Sequence, residues 1–147
     1  MKPALSMTPS LLDDFCQIYQ SLNKHKLALL KQIYSDDVVF IDAMHEINGL
    51  DALTEYFEHL YANVEYCHFN INHIIEQEGQ ACIVWEMEYA HPKLNRGKCI
   101  SVDGISHLTF TDKIVIHRDY LDLGQMLYEQ LPLLGPLIKT IKKRASQ

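Results

Sequence analysis

The sequence predicts a single α+β domain, with helices first and a long antiparallel sheet after them. Two patterns support this fold class. Apart from one short strand, apolar residues recur at helical spacing up to Tyr61, and from Tyr66 onward they alternate with polar residues. The 147 residues suffice for one domain with a sizeable core and are too few for two ordinary domains. We expect one domain over residues 1–147, with residues 123–147 as a C-terminal helical extension.

Three helices are predicted before the sheet. The first, over about residues 9–23, begins at Thr8 and Pro9, because a threonine oxygen can cap a helix and proline is tolerated in the first turn. Its apolar residues are Leu11, Phe15, Ile18, Tyr19 and Leu22. A short second helix carries Leu27, Leu30, Ile33 and Tyr34. A third carries Leu50, Leu53, Phe57, Leu60 and Tyr61, and Asn48 with Asp51 suits its capped start.

Five strands are predicted. The first, Val38 to Ala43, lies between the second and third helices and is rich in β-branched and aromatic residues. The others cover about residues 66–75, 81–90, 100–110 and 114–121 and are joined by turns or short loops. In the strand over 81–90, one face carries Ile83, Trp85, Met87 and Tyr89. We expect this face to point inward; with the opposite parity, Glu86 and Glu88 would enter the interior instead.

The C-terminal extension combines apolar and basic residues. An apolar helix containing Met126, Leu127 and Leu131 is followed by an interruption over Pro132–Pro136 and a basic amphipathic end, Leu137 to Arg144. Three roles remain open for this end. It can be a helix docked on the domain with solvated lysines, a lid or swapped dimer arm, or a helix on a membrane surface.

Composition and charge exclude several classes of protein. The chain has 13 Lys+Arg against 19 Asp+Glu, a formal net charge of -6, whereas nucleic-acid binding normally requires a basic face. Membrane-spanning helices need about 18 consecutive apolar residues, and no such run occurs. Residues 1–10 lack the apolar core of a signal peptide, so we expect a cytoplasmic protein.

Cysteines and histidines give no metal-binding pattern. The four cysteines are not in C-x-x-C spacing, and the eight histidines include no H-x-H or H-x-x-x-H pair. We therefore expect neither a metal nor another cofactor. Helices on one face of a strongly curved antiparallel sheet leave a cone with an open mouth, which is a natural pocket for a small apolar ligand.

Three segments resemble the SnoaL-like group of the NTF2-like superfamily, close to ketosteroid-isomerase-related proteins. They are Asp37–Asp42 with Ile47-Asn48-Gly49, Val84-Trp85-Glu86-Met87, and Lys113-Ile114 followed by His117–Asp122. The resemblance covers about residues 10–130. It implies a cone-shaped α+β fold, commonly a homodimer formed through the sheet, and a fold that serves isomerases, cyclases, hydrolases and plain binding modules.

The resemblance also implies a functional aspartate at Asp119, where the limonene-epoxide-hydrolase branch carries one. Those hydrolases need an arginine between two carboxylates on a neighbouring strand, and the corresponding strand here offers Glu86 and Glu88 without an arginine. The resemblance therefore does not imply epoxide hydrolysis. It gives no equivalent of the tyrosine in the steroid isomerase's oxyanion hole.

Three residues are candidates for acid–base catalysis. Asp119 shares its strand face with His117 and Leu121, which form a mixed polar and apolar wall. We expect Asp119 to be the general base, with Asp42 or His117 assisting. Asp42 alternatively caps the turn after its strand, and His117 alternatively is a partly exposed histidine bonded to a neighbour.

The expected substrate-binding residues are Phe40, Tyr56, Trp85, Met87 and Leu121. Removing a proton beside a carbonyl needs only a positioned base and donors for the enolate oxygen. The sequence therefore favours a cofactor-free isomerase- or cyclase-type enzyme acting on an apolar carbonyl or polycyclic molecule. The alternative is a non-catalytic dimeric module that binds a ligand or a partner chain.

Overall fold

The structure, a computed structural model, describes residues 10–147 and confirms the α+β class. It contains one six-stranded sheet with helices against one face. The strands are β1 (Tyr34–Ile41), β2 (Glu46–Asn48), β3 (Tyr66–Gln77), β4 (Gln80–Ala90), β5 (Ile100–Phe110) and β6 (Ile114–Leu121). The α-helices are α1 (Leu11–Ser21), α2 (Leu50–Asn63), α3 (Leu123–Met126) and α4 (Leu134–Ala145).

The first helix begins at a capping box. The Ser10 hydroxyl accepts from the Asp13 amide at 3.2 Å, and the Asp13 carboxylate accepts from the Ser10 amide at 3.1 Å. The predicted cap at Thr8 and Pro9 lies outside the described residues. Buried residues of α1 recur at helical spacing and face the sheet; they are Leu12, Phe15, Ile18 and Tyr19.

The second predicted helix is a single 3-10 segment, Leu27–Gln32. Leu27 and Leu30 are buried at a spacing of three, which matches the period of this tighter helix. Tyr34, assigned to the helix by its spacing, instead opens β1. The prediction for Tyr34 was wrong because the segment is short, and four apolar residues at this spacing do not show where the helix ends and the strand begins.

The sheet is mixed, not wholly antiparallel as predicted. Its order is β2-β1-β6-β5-β4-β3, and β1 pairs with β6 in parallel while all other neighbours are antiparallel. Alternation along a strand fixes its two faces but not the direction of its neighbour. The long connection between β1 and β6 permits parallel pairing, which a short turn would not.

A short strand precedes α2 where the sequence indicates only a turn. Asn48 lies in β2 and pairs with Val39 of β1, so it does not cap the helix. The N-cap is Gly49, with a φ of +94° and no side-chain cap. Glycine suits this position because its backbone lies in a region that other residues rarely adopt.

The C-terminal extension is divided into short helices. The Asp122 carboxylate accepts from the Gln125 amide at 3.1 Å and caps α3. A 3-10 turn, Tyr128–Gln130, follows. Pro136 lies in the first turn of α4, not between two helices, because amides there need no intrahelical acceptor. No helix within residues 10–147 is long and apolar enough to cross a membrane.

Candidate active site

A cavity of about 310 Å³ lies between α2, the inner face of the sheet and the start of the C-terminal extension. Its wall is mostly apolar and aromatic. Seven of the eight site residues expected from the sequence line it: Phe40, Asp42, Tyr56, Trp85, Met87, Asp119 and Leu121. The eighth, His117, is fully buried directly behind Asp119. The inward parity of Trp85, Met87 and Tyr89 is confirmed, and the parity that would bring in Glu86 and Glu88 is wrong.

Strand register brings Asp119, His117 and Ser106 together. His117 and Asp119 are two residues apart on β6 and share a face, and Ser106 of β5 lies directly opposite Asp119. Asp119 Oδ1 is 2.6 Å from His117 Nε2 and accepts from the Ser106 hydroxyl at 2.5 Å. Within residues 10–147, Oδ2 has no hydrogen-bond partner. The carboxylate is thus anchored through one oxygen, and its side chain is 15% exposed.

Two tyrosines continue the hydrogen-bonded chain behind His117. His117 Nδ1 lies 2.6 Å from the Tyr34 hydroxyl, which bonds to the Tyr19 hydroxyl. Burial raises the pKa of both phenols well above the ordinary value, with the neighbouring Tyr34 raising that of Tyr19 further. Both tyrosines therefore stay protonated. His117 is not the partly exposed residue weighed above, because Phe40 of β1 and α1 cover it.

One set of proton positions satisfies this whole chain. Tyr19 donates to Tyr34, Tyr34 donates to His117 Nδ1, and His117 Nε2–H donates to Asp119. From the other side, Trp85 Nε1–H donates to Ser106 at 2.8 Å, and Ser106 donates to Asp119. In this arrangement both branches of the network end at Asp119 Oδ1, which accepts the last hydrogen bond of each.

The Ser106 hydroxyl is not arranged as the nucleophile of a serine triad. In a serine triad the imidazole bridges serine and carboxylate with its two different nitrogens. Here His117 Nε2 faces both Ser106, at 3.2 Å, and Asp119, while Nδ1 is occupied by Tyr34. Ser106 is also buried.

Asp42 stands on another part of the cavity wall with both oxygens engaged. Its Oδ1 accepts from the Met44 and His45 amides at 2.8 and 2.6 Å, which closes the turn after β1. Its Oδ2 accepts from the Tyr56 hydroxyl at 2.9 Å. Asp42 thus caps the turn after β1 and also lines the cavity. Its position agrees with both of the placements considered from the sequence.

The tyrosine and cysteine side chains of the wall are neutral. Burial, then the charge and hydrogen bond of Asp42, raise the pKa of Tyr56 far above the ordinary value. Burial raises the pKa of Tyr89 to about 12, and its hydroxyl donates to the Met126 carbonyl. Burial also raises the pKa of the Cys67 thiol to about 12, so it is not a thiolate nucleophile. Within residues 10–147, no group of three His, Cys, Asp or Glu side chains is placed to hold a metal ion.

Sequence reasoning missed Tyr19, Tyr34 and Ser106. Ser106 was visible as a polar residue within the apolar stripe of β5, and a buried hydroxyl needs a partner. Tyr34 was obscured by its assignment to a helix, and Tyr19 by its place on an apolar helical stripe. Which tyrosine meets which histidine depends on the parallel pairing of β1 with β6.

Comparison with protein families finds a match to the SnoaL-like domain model over residues 16–117. The resemblance seen in the sequence is thereby confirmed. A comparison with curated protein sequences finds no significant match.

Solved structures share the fold at low sequence identity. A protein of ketosteroid isomerase-like fold from Catenulispora acidiphila, solved with trimethylamine, has a TM-score of 0.71 and 17% identity, covering 86% of this chain and 96% of its own. A candidate SnoaL-like polyketide cyclase from Shewanella putrefaciens has a TM-score of 0.66 and 18% identity, covering 81% and 94%. AclR, a candidate hydroxylase from Streptomyces galilaeus, has a TM-score of 0.65 and 16% identity, covering 80% and 92%.

Proposed function

The chain belongs to the SnoaL-like domain family, and from that premise we propose that it is a cofactor-free isomerase- or cyclase-type enzyme. Its cavity binds a small, mostly apolar molecule, and Asp119 is the general base. The observation that supports this proposal is the environment of the Asp119 carboxylate. Asp119 lines an apolar cavity with Oδ1 anchored by His117 and Ser106 and Oδ2 unpartnered within residues 10–147.

The anchoring gives each residue a role. His117 and Ser106 hold Oδ1 and so fix the orientation of the carboxylate. Oδ2 then faces the substrate without the entropic cost of restricting side-chain rotation. Tyr34 holds the far nitrogen of His117 and so fixes the tautomer that donates to Asp119. Phe40, Trp85, Met87 and Leu121 form apolar wall that excludes water, and Asp42 orients Tyr56.

The proposed reaction conserves protons. Asp119 Oδ2 takes a proton from a carbon next to the substrate's carbonyl, and the electron pair moves into the enolate. The same carboxyl group then returns the proton to another carbon of the substrate. An isomerisation of this kind has no net oxidation and releases no group, and positioned general bases contribute about 10²–10⁴-fold.

A reporter that needs only a base tests this proposal. In 5-nitrobenzisoxazole, removal of the ring C–H proton breaks the N–O bond and releases a coloured phenolate. The wild-type protein is expected to accelerate this ring opening, and Asp119→Asn to lose about 100-fold of that rate. The rate is followed by absorbance at constant protein concentration.

Asp103→Asn is the matched control. It makes the same chemical change on β5, but Asp103 is exposed and does not line the cavity. It should retain the wild-type rate. An Asp119→Asn rate equal to that of the wild type, with both variants folded by circular dichroism, would remove Asp119 as the base.

A non-catalytic binding module is the second candidate, and one observation favours it. An enolate oxygen needs hydrogen-bond donors, but the Trp85, Tyr56 and Tyr89 protons are already donated to protein acceptors. A binding module would show saturable ligand binding with no acceleration of the reporter. The reporter experiment thus separates the two functions.

A further inference from the structure

The C-terminal helix α4 leaves an apolar stripe exposed. Leu133, Leu137 and Ile141 follow one another at intervals of four residues and are 93%, 55% and 53% exposed. Residues at this spacing lie on one side of an α-helix. Leu134 and Ile138 are half-buried beside them. The apolar stripe thus runs along most of α4 and faces solvent in the described part of the chain.

A different side of α4 holds the helix to the domain. Gly135 is buried, and a Cβ there would overlap the Glu129 carbonyl, so the helix rests closely on the preceding 3-10 turn. Lys142, two turns later on the same side, donates to the Asp122 and Glu129 carboxylates at 3.2 and 3.3 Å. Leu137 is about 200° around the helix axis from Gly135. The apolar stripe is therefore not the face that attaches α4 to the domain.

Positive charge accompanies the apolar stripe. Residues 134–147 contain four basic residues and no acidic one, although the formal net charge of the chain is -6. Of the four, Lys142 forms ion pairs, whereas Lys139, Lys143 and Arg144 are exposed and form none within residues 10–147. Cations in a last turn complement the helix dipole. The dipole does not account for an exposed row of leucine and isoleucine.

These features together indicate the kind of partner that α4 fits. An apolar stripe with lysine and arginine on the rest of the helix, at low overall hydrophobicity, is typical of helices that lie in the interface of a bilayer. Anionic headgroups attract the cations while the apolar side chains leave water. A second copy of α4 fits less well, because a two-fold axis would place its four cations against the same four cations.

We propose that α4 docks the protein on an anionic lipid surface. The apolar stripe enters the boundary between headgroups and acyl chains, and Lys139, Lys143 and Arg144 contact the anionic headgroups. This inference goes beyond the proposed function and does not depend on catalysis. The same C-terminal extension contributes Met126 and Leu127 to the cavity wall, so a short stretch of chain joins the lipid-docking helix to the ligand cavity.

Co-sedimentation of the whole protein with vesicles tests the proposal. One set of vesicles is phosphatidylcholine with about 30% phosphatidylserine, and the other is phosphatidylcholine alone. In about 0.1 M salt, we expect the anionic vesicles to bind the protein about tenfold more tightly than the neutral vesicles, and added salt to weaken this binding. No binding to the anionic vesicles, or equal binding to both sets, would overturn the proposal.

A double variant tests the apolar contribution. Leu137→Gln with Ile141→Gln should weaken binding to the anionic vesicles about tenfold. The matched control is Ile74→Gln with Ile75→Gln, which makes the same change at two exposed isoleucines of β3 and should retain wild-type binding. Wild-type binding by the α4 variant, with both proteins folded by circular dichroism, would overturn the proposal.

A second double variant tests the basic contribution. Lys139→Gln with Lys143→Gln should weaken binding to the anionic vesicles about tenfold and leave any binding to neutral vesicles unchanged. Lys24→Gln with Lys26→Gln is the control, because both lysines are exposed and lie outside the C-terminal extension. An equal loss of binding in the two pairs would show only a general charge effect and would overturn the assignment to α4.

A second copy as the occupant of the apolar stripe predicts a different result. Sedimentation without lipid should give the same association state for the wild type and for Leu137→Gln with Ile141→Gln. A wild-type dimer that this variant abolishes would make the apolar stripe a protein interface and would overturn the proposal.

Discussion

At the scale of single residues, the buried polar chain behind Asp119 accounts for the way in which the carboxylate is held. His117 contacts the carboxylate through one nitrogen and Tyr34 through the other, so neither ring nitrogen is left unsatisfied. Such a chain favours one arrangement, because any break leaves a buried polar group without a partner.

We predict that His117→Phe destabilises the protein. The change keeps an aromatic ring but removes the hydrogen bonds of the imidazole, leaving Tyr34 and Asp119 each short of a partner, at about 1–3 kcal/mol per group. The expected loss in the free energy of unfolding is therefore about 2 kcal/mol or more, measured by urea denaturation. A variant as stable as the wild type would mean that the chain contributes no net stability.

At the scale of elements, the alternation of polar and apolar residues predicted which side chains share a strand face, but not which residues pair across neighbouring strands. Alternation along β4, β5 and β6 correctly placed Trp85, Asp119 and Leu121 on the inner face, because a two-residue period fixes orientation. The network behind Asp119 depends on register instead: Ser106 faces Asp119 and Phe40 faces His117. Register depends on distant parts of the chain, so local pattern does not contain it.

Gly104 of β5 has a specific role in placing Trp85. The two residues are opposite each other in the β4–β5 pair, and a Cβ at position 104 would overlap the indole ring. The absence of a side chain allows the indole to lie across the neighbouring strand, where Nε1 donates to Ser106.

We predict that Gly104→Ala moves Trp85 and breaks its bond to Ser106. Overpacking of this kind costs about 1–3 kcal/mol, and the tryptophan emission, the only one in the chain, should shift as the ring is displaced. Both are measured on one urea titration followed by fluorescence. Wild-type stability together with an unchanged spectrum would show that the strand accommodates the methyl group without moving the ring.

At the scale of the whole molecule, a small group of exposed apolar side chains lies on the outer face of β5 and β6. Ile105 and Tyr120 are directly opposite each other on β5 and β6 and are 39% and 51% exposed, with Ile116 exposed nearby. Exposed apolar side chains grouped on a sheet face favour association. We propose a homodimer formed through this face; the family resemblance implies a homodimer through the sheet and leaves open which face forms it.

Sedimentation tests the dimer. The wild-type protein should sediment as a dimer, and Ile105→Lys as a monomer, because two buried lysines would face each other across a symmetric interface. Leu133→Lys is the control, since Leu133 is 93% exposed and belongs to the C-terminal extension, not to β5 or β6. A monomeric wild-type protein, or a dimeric Ile105→Lys variant, would contradict this interface.

The central claim is that Asp119 is a positioned base, and the pH–rate profile for 5-nitrobenzisoxazole tests it most directly. A base must be ionised to accept a proton, so the rate should rise with pH through one ionisation and then reach a plateau. Asp119→Asn should lose both the rise and the plateau while remaining folded. Identical profiles for the wild type and Asp119→Asn would contradict the claim.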